Sequence, residues 1–374
     1  MNILSEILSA LETEERVMMA TIISTSGSTP ASALSKMIVK DNCSTWVGTV
    51  GGGCMEADVL EKATELFREN KAAILRFELK EDDIPHGLIC GGTLDVLIEP
   101  ITRKLVPFFQ GLNSLSDEGE DSIVATLLTG EGLIRFKRLI PLIGARDDDS
   151  LLEHWGEAIL QSTPGLPEEL RKTYTRHETR RLQTPEGELI LEPAAGSPNL
   201  ILFGGGHVSK YVSRAAAMVG FRVSIVDDRK EYSSATRFPE AAETLVAEFN
   251  EVFDVLKVKP SSYIVIVTRG HRFDEEILEK AIRTPARYIG MIGSKRKVLA
   301  TYRHLADRGI AVDDLSRIFA PMGLDIGAVT AEEIAVSIVS ELIKVRRHST
   351  SPPGHKSAAM QHLLDKIRSA PKEE

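Results

Sequence analysis

Leu200-Ile201-Leu202-Phe203-Gly204-Gly205-Gly206-His207-Val208-Ser209 is an apolar run that meets a glycine turn and continues into a helix-forming stretch. The spacing is G-x-G-x-x-S, the dinucleotide fingerprint with Ser209 in the place of its third glycine. Asp227 follows the next apolar run, Arg222 to Val226, 23 residues after Gly204. An acid that contacts a ribose hydroxyl is expected there, at roughly 20 residues. Two readings attach to Gly204, Gly205, Gly206 and Asp227: a bound nucleotide such as NAD(P), or glycines that let a helix pack closely on a strand.

Downstream, apolar strands (Ser262 to Val267, Tyr288 to Ile292) alternate with helical stretches (Val208 to Val219, Asp274 to Ala281). Such alternation predicts a parallel sheet with crossover helices. His207 opens the first crossover helix, where its imidazole faces a phosphate or caps the turn. Thr268-Arg269-Gly270-His271 follows a strand, at the carboxyl edge where open α/β sheets bind ligands; a local hydrogen bond between His271 and Asp274 is the alternative. Gly293-Ser294-Lys295-Arg296 repeats the logic of turn, hydroxyl and cation, which suits an anion. A tight turn with a solvated basic face explains Ser294 equally well.

Upstream, Pro, Ala, Gly and Ser dominate residues 194–198, a linker by composition. The predicted organisation is an N-terminal domain over 1–193, the linker, a Rossmann-like domain over 199–348, and a tail over 349–374 with room for a short helix at 358–368. Residues 143–181 carry no readable pattern. Before them, Val17 to Ser24, Ser35 to Lys40, Trp46 to Val50, Ala73 to Leu79 and Thr93 to Ile98 read as strands. Val59, Leu60, Ala63, Leu66 and Phe67 give a helix over 55–70 one buried face. The fold class is α/β: an N-terminal α+β domain with a mixed sheet, followed by a C-terminal Rossmann-like parallel-sheet domain.

Within the first domain Gly51-Gly52-Gly53-Cys54-Met55-Glu56 joins a strand to that helix, and Cys90-Gly91-Gly92 echoes it. Glycine turns let a large anion approach backbone N–H groups, and a helix start adds partial positive charge. The thiolate is the reactive form of cysteine, and a helix start favours it. Buried, inert cysteines are the plain alternative. Glu56 reads either as a ligand contact or as a first-turn acid that complements the helix dipole. Paired Gly/Cys turns point to something anionic and thiophilic, with Cys54 and Cys90 as the metal or sulfur contacts.

At 374 residues, 43% hydrophobic and 26% charged, the chain has the make-up of two packed domains. A net charge of −9 argues against nucleic acid. No run reaches the roughly 18 apolar residues of a membrane span. Residues 1–16 carry acids among leucines, unlike a signal peptide, so a cytoplasmic protein is expected. Cys43, Cys54 and Cys90 are too few for a structural zinc set.

Gly48-Thr49-Val50-Gly51-Gly52-Gly53-Cys54-Met55-Glu56-Ala57, Cys90-Gly91-Gly92 with Val96-Leu97-Ile98-Glu99-Pro100, Phe203-Gly204-Gly205-Gly206-His207-Val208 and the stretch from Ala320 to Ala335 together resemble the XdhC/CoxI family. These are accessory proteins of xanthine dehydrogenase and related molybdenum hydroxylases. The resemblance implies a chaperone that binds molybdenum cofactor, holds it while a cysteine desulfurase installs its terminal sulfur, and delivers it to the apo-hydroxylase. It also implies a homodimer. Molybdopterin carries a phosphate, which suits glycine turns, and a thiophilic metal, which suits a thiolate. The chain departs from the family pattern at Ala31, where Arg is usual, and near Leu34, where Gly is common. The rival classes are an NAD(P)-dependent oxidoreductase, motivated by Gly204, Gly206 and Asp227, and a protein-interaction scaffold.

Overall fold

The structure, a computed structural model, describes residues 3–79, 91–142, Trp155, Thr163 and 165–347. Cys90 and the expected tail helix at 358–368 lie outside the described residues. The chain divides into two compact units, Met1–Gly196 and Ser197–Glu374. No helix among the described residues is long and apolar enough to cross a membrane.

In the first unit, β1 (Arg16–Gly27), β2 (Lys36–Lys40), β3 (Thr45–Gly48), β4 (Ala73–Glu78) and β5 (Gly92–Thr102) form one sheet in the order β3-β2-β1-β5-β4. A second sheet has the order β7-β6-β9-β8, from β6 (Ser122–Leu128), β7 (Ile134–Pro141), β8 (Arg180–Thr184) and β9 (Gly187–Ala194). The expected mixed sheet is corrected here, because every pairing in both sheets is antiparallel. A parallel pair needs a crossover between neighbours. The helix that follows β3, α2 (Gly53–Glu69), instead carries the chain to β4 at the opposite edge.

β1 reads as one continuous apolar run because both of its faces are covered. Alternation sends Met18, Ala20 and Ile22 toward Val59, Ala63 and Leu66 of α2. Val17 and Met19 meet Ile7 and Leu11 of α1 (Ile3–Thr13) and Phe109 of α3 (Val106–Asp117). Ile23 and Leu97 pack on Leu128 and Ile190 of the second sheet, which α4 (Leu166–Arg176) covers through Leu166 and Leu170. Asn70 ends α2 in the left-handed conformation, its N–H donating to the Leu66 carbonyl.

The second unit is a six-stranded parallel sheet in the order β12-β11-β10-β13-β14-β15. Its strands are β10 (Asn199–Phe203), β11 (Arg222–Asp227), β12 (Glu243–Val246), β13 (Tyr263–Ile266), β14 (Tyr288–Met291) and β15 (Ile318–Phe319). Counted from β10, this is the 3-2-1-4-5-6 order of the dinucleotide-binding fold. Helices α5 (His207–Met218) and α9 (Ala331–Arg347) cover one face, and α6 (His271–Ala281) and α7 (Lys295–Asp307) the other. A short α8 (Val312–Ser316) precedes β15. At the start of α9, Glu333 accepts from the N–H groups of Val329 (2.8 Å) and Thr330 (3.0 Å), and the Thr330 hydroxyl accepts from Glu333 N–H (3.2 Å). This reciprocal capping box fixes where the closing helix begins.

Candidate functional site

In the first unit, Thr49 to Gly52 turn the chain from β3 into α2. Gly51, Gly52 and Gly53 take φ values of +128°, +76° and +60°, the left-handed region that favours glycine. A Cβ on Gly51 would meet Met55 Cε at 2.3 Å and Pro30 Cγ at 3.0 Å, whereas at Gly52 and Gly53 it would meet nothing within 4 Å. Gly51 is therefore a packing glycine, and the next two present bare backbone. Cys54 is exposed in the first turn of α2, where helical N–H groups have no intrahelical acceptor.

Glu56 turns back on the loop. Its Oε1 accepts from the Val50 N–H (3.2 Å), the Gly52 N–H (3.0 Å) and the Thr49 hydroxyl, while Thr49 Oγ1 accepts from the Gly51 N–H (3.1 Å). Its carboxylate thus fills part of the anion cradle itself. We expect Glu56→Ala to lower stability by about 1–2 kcal/mol, read as a shift of the urea midpoint; an unchanged midpoint would show that the turn holds without it.

The end of β1 and the loop after it, Ser26 to Pro30, touch Gly51 and Gly92, and the expected turn at Gly91-Gly92 is corrected in its last residue: Gly92 is the first residue of β5, paired with Gly27. Pro30 lies against Gly51, and a Cβ on Gly92 would stand 2.6 Å from the Ser26 carbonyl oxygen and 2.5 Å from that of Ser28. Gly27 pairs with Gly92, and its own Cβ would come within 2.8 Å of the Gly91 carbonyl oxygen. The structure thus brings Gly51 and Gly91-Gly92 to one loop, beside a shallow recess lined by Ser26, Gly27, Glu78, Gly91 and Gly92. Cys43 is half-buried against the α2 core, and burial pushes its thiol up. Ala31 packs against the same core. Leu34 holds a φ of +70°, a left-handed backbone that a glycine would adopt without strain.

In the second unit, Gly204 (φ +95°) would place a Cβ 2.3 Å from the Val267 carbonyl oxygen, and Gly205 would place one 1.8 Å from that of Tyr232. Only Gly206 of the three faces open space. Buried Asp227 accepts from the Gly205 N–H (2.8 Å) through Oδ2, and from the Arg229 N–H (3.0 Å) and Nε (2.9 Å) through Oδ1. The acid read as a ribose contact is engaged with its own turn. His207 is exposed at the start of α5, its ring edge-on to Tyr211 at 5.2 Å.

The neighbouring loops are tied by charge. Arg269 grips Asp228 with two bonds (2.7 and 2.6 Å) and holds that carboxyl below the usual range. Asp274 accepts from the Thr268 hydroxyl (2.6 Å) and from Lys297. Ser294 caps α7, its hydroxyl accepting from the Lys297 N–H (3.3 Å). His271 is the first residue of α6. Sequence reasoning passed over Arg229 and Arg237, although Arg237 Nε reaches the Gly205 carbonyl at 2.9 Å. The signal was present in Asp227-Asp228-Arg229, a cation beside two acids. Among the described residues no group of three His, Cys, Asp or Glu side chains is placed to hold a metal ion.

Residues 200–342 match the model of the XdhC Rossmann domain, and residues 10–78 match that of the XdhC and CoxI family. The chain belongs to the XdhC/CoxI family. Its family-matched segments contain the Gly51–Cys54 turn in one domain and Gly204, Asp227, His271 and Ser294 in the other, whereas Cys90 to Gly92 fall between them. One relative is a probable xanthine dehydrogenase subunit of Bacillus subtilis (strain 168), 27% identical over 340 residues, covering 90% of this chain and 95% of that protein. The uncharacterized protein YqeB of Escherichia coli (strain K12) is 34% identical over 178 residues, 46% of this chain; the match spans only 32% of that protein's length. A crystal structure described as a xanthine dehydrogenase from Bacillus halodurans superposes with a TM-score of 0.74 at 26% identity, covering 97% of this chain and 100% of that one.

Proposed function

We propose that the chain is an accessory protein of a xanthine dehydrogenase-type molybdenum hydroxylase, and that its cargo is molybdenum cofactor. The observation that carries this reading is the Gly51–Gly53 turn, which packs on Pro30 through Gly51, presents bare backbone at Gly52 and Gly53, and leads into the exposed Cys54 at the start of α2. Family membership and the names of the two Bacillus relatives support the client class. The residues fit such a cargo: bare backbone at Gly53 admits a phosphate, which Gly52 joins once Glu56 releases its N–H, and a thiol at the helix start suits an oxidised, thiophilic metal. Gly52, Gly53 and Cys54 would hold the cofactor, whose molybdenum supplies the redox chemistry only after delivery. In this scheme a cysteine desulfurase is the second partner, the protein acts in the cytoplasm, and it works as a homodimer.

Titration of the purified chain with molybdenum cofactor tests the thiol. Cys54→Ala should weaken binding about tenfold and slow activation of the apo-hydroxylase, in line with the loss of about 1.4 kcal/mol of contact. Unchanged affinity and activation would remove Cys54 from the site. The oxidoreductase reading has the parallel sheet order and the open Gly206 in its favour. Against it stands Asp227, whose carboxylate is engaged by Gly205 and Arg229.

A further inference from the structure

β4 is the outermost strand of the five-stranded sheet, and among the described residues no strand pairs with its far side. The Leu79 N–H donates to the Gly92 carbonyl of β5 (2.8 Å), so by alternation Ala73, Leu75 and Phe77 also turn their backbone groups toward β5. Ile74, Arg76 and Glu78 turn theirs outward. At the start of the strand this outward row is occupied, because the Ala72 N–H donates to the Gly132 carbonyl in the turn between β6 and β7 (2.7 Å). Further along, the edge is a template for another strand. Its two faces differ in chemistry. Ala73, Leu75, Phe77 and Leu79 belong to the apolar cluster under α2, while Arg76 and Glu78 alternate with them, their side chains 64% and 62% exposed. Arg76 Nε lies 4.0 Å from Glu78 Oε1, beyond hydrogen-bond reach.

A second copy of β4, antiparallel about a two-fold axis, matches this edge in one register. Outward groups must meet outward groups, which they do with the axis at Leu75, Arg76, Phe77 or Glu78. At Leu75, the axis sets Glu78 against Ala72, whose N–H is already taken. At Arg76 or Glu78 it sets two like charges directly opposite, which destabilises a strand pair. At Phe77 it sets Arg76 against the partner's Glu78 and Glu78 against the partner's Arg76, two opposite-charge pairs on one face. The other face then brings Phe77 to its own copy and Leu75 to the partner's Leu79, apolar against apolar. Self-complementarity of this kind is what a two-fold interface requires. Glu78 also lines the recess beside Gly91 and Gly92, so the same register carries a cation of the second copy to that recess.

We propose that two copies of this chain join through β4 with Phe77 on the axis, forming one continuous sheet of ten strands, five from each copy; this names the interface of the homodimer proposed above and rests on it. Sedimentation velocity of the full chain over a range of concentrations tests it. The wild type should dimerise, and Arg76→Glu or Glu78→Arg, each of which sets like charges opposite twice, should weaken the dimer about tenfold. Both side chains are exposed, so the variants keep the fold. The double variant Arg76→Glu with Glu78→Arg restores both pairs and should dimerise like the wild type. An equimolar mixture of the two single variants should form a heterodimer, because one chain then carries acids at both positions and the other bases. A monomeric wild type would overturn the interface together with the homodimer. A dimer that neither reversal weakens would overturn the interface alone, as would a loss that neither the double variant nor the mixture repairs. Titration of the wild-type chain with molybdenum cofactor reads the cargo independently of all these outcomes.

Discussion

Gly205→Ala is expected to lose roughly 3 kcal/mol of stability, whereas Gly206→Ala, one residue on, should change it by less than about 1 kcal/mol. The added Cβ at 205 would sit 1.8 Å from the Tyr232 carbonyl oxygen and 2.7 Å from its carbon, both backbone atoms. No rotamer relieves that clash. The Tyr232 segment is itself held, because its N–H donates to the Arg229 carbonyl (3.0 Å) and its ring lies under the Arg229 guanidinium, 3.6 Å from the centroid. Displacing Gly205 also stretches the bond from its N–H to the buried Asp227 Oδ2, which then keeps only the 3.2 Å bond from Arg229 Nη2. Gly206 meets nothing within 4 Å. Urea unfolding of the two variants checks the contrast. Equal midpoints would mean that the loop carrying Tyr232 yields, and that Gly205 is present for ligand approach and not for packing.

The second unit was legible because its signals are local. Apolar strands of four to six residues, a glycine turn and an acid at the next strand end all lie within one β-α-β unit. The missed strands are those with little apolar length: β12 is a half-exposed edge, and β15 has two residues. In the first unit the strands of the first sheet were visible and β8, which begins in the unreadable stretch, was not; the strand directions were hidden too, since a helix between two strands does not say whether it joins neighbours or opposite edges. The glycine turns were also visible. What occupies their hydrogen bonds was not: Glu56 was read as a ligand contact or a first-turn acid and Asp227 as a ribose contact, yet each folds back on its own turn. The buried ion pairs of the first unit escaped notice for a related reason. Lys36 and Glu192 are 156 positions apart, and Glu99 follows the apolar run Val96-Leu97-Ile98 of β5, so only the stacking of two sheets pairs them with their lysines.

Lys137→Met should cost roughly 3–5 kcal/mol at pH 8 and far less at pH 5. The methionine keeps most of the buried stem and removes the charge, so Glu99 loses its paired ammonium while Glu192, which also feels Lys137, keeps its own bond to Lys36. Burial pushes the Glu99 carboxyl up, and the nearby Lys137 ammonium is the main attraction opposing that rise. Without Lys137 it rises further, and the folded chain then holds a proton that an unfolded carboxylate, near pH ~4.3, has already released. Across the window from the ordinary carboxylate range up to that raised value the native state binds more protons than the unfolded one, so stability falls as pH rises. At pH 5 the variant folds with a neutral Glu99 and loses little; at pH 8 it must either ionise an unpaired buried carboxyl or hold it protonated against the solution. Adding Glu99→Gln deletes the titrating group. The double variant should therefore lose the extra pH dependence and recover much of the deficit at pH 8, as buried pairs do when both charges go. Urea unfolding at the two pH values reads all three chains. A deficit in Lys137→Met that is the same at pH 5 and pH 8 would show that the side chain contributes through its packing and its bond to Thr126, with no charge of Glu99 to answer.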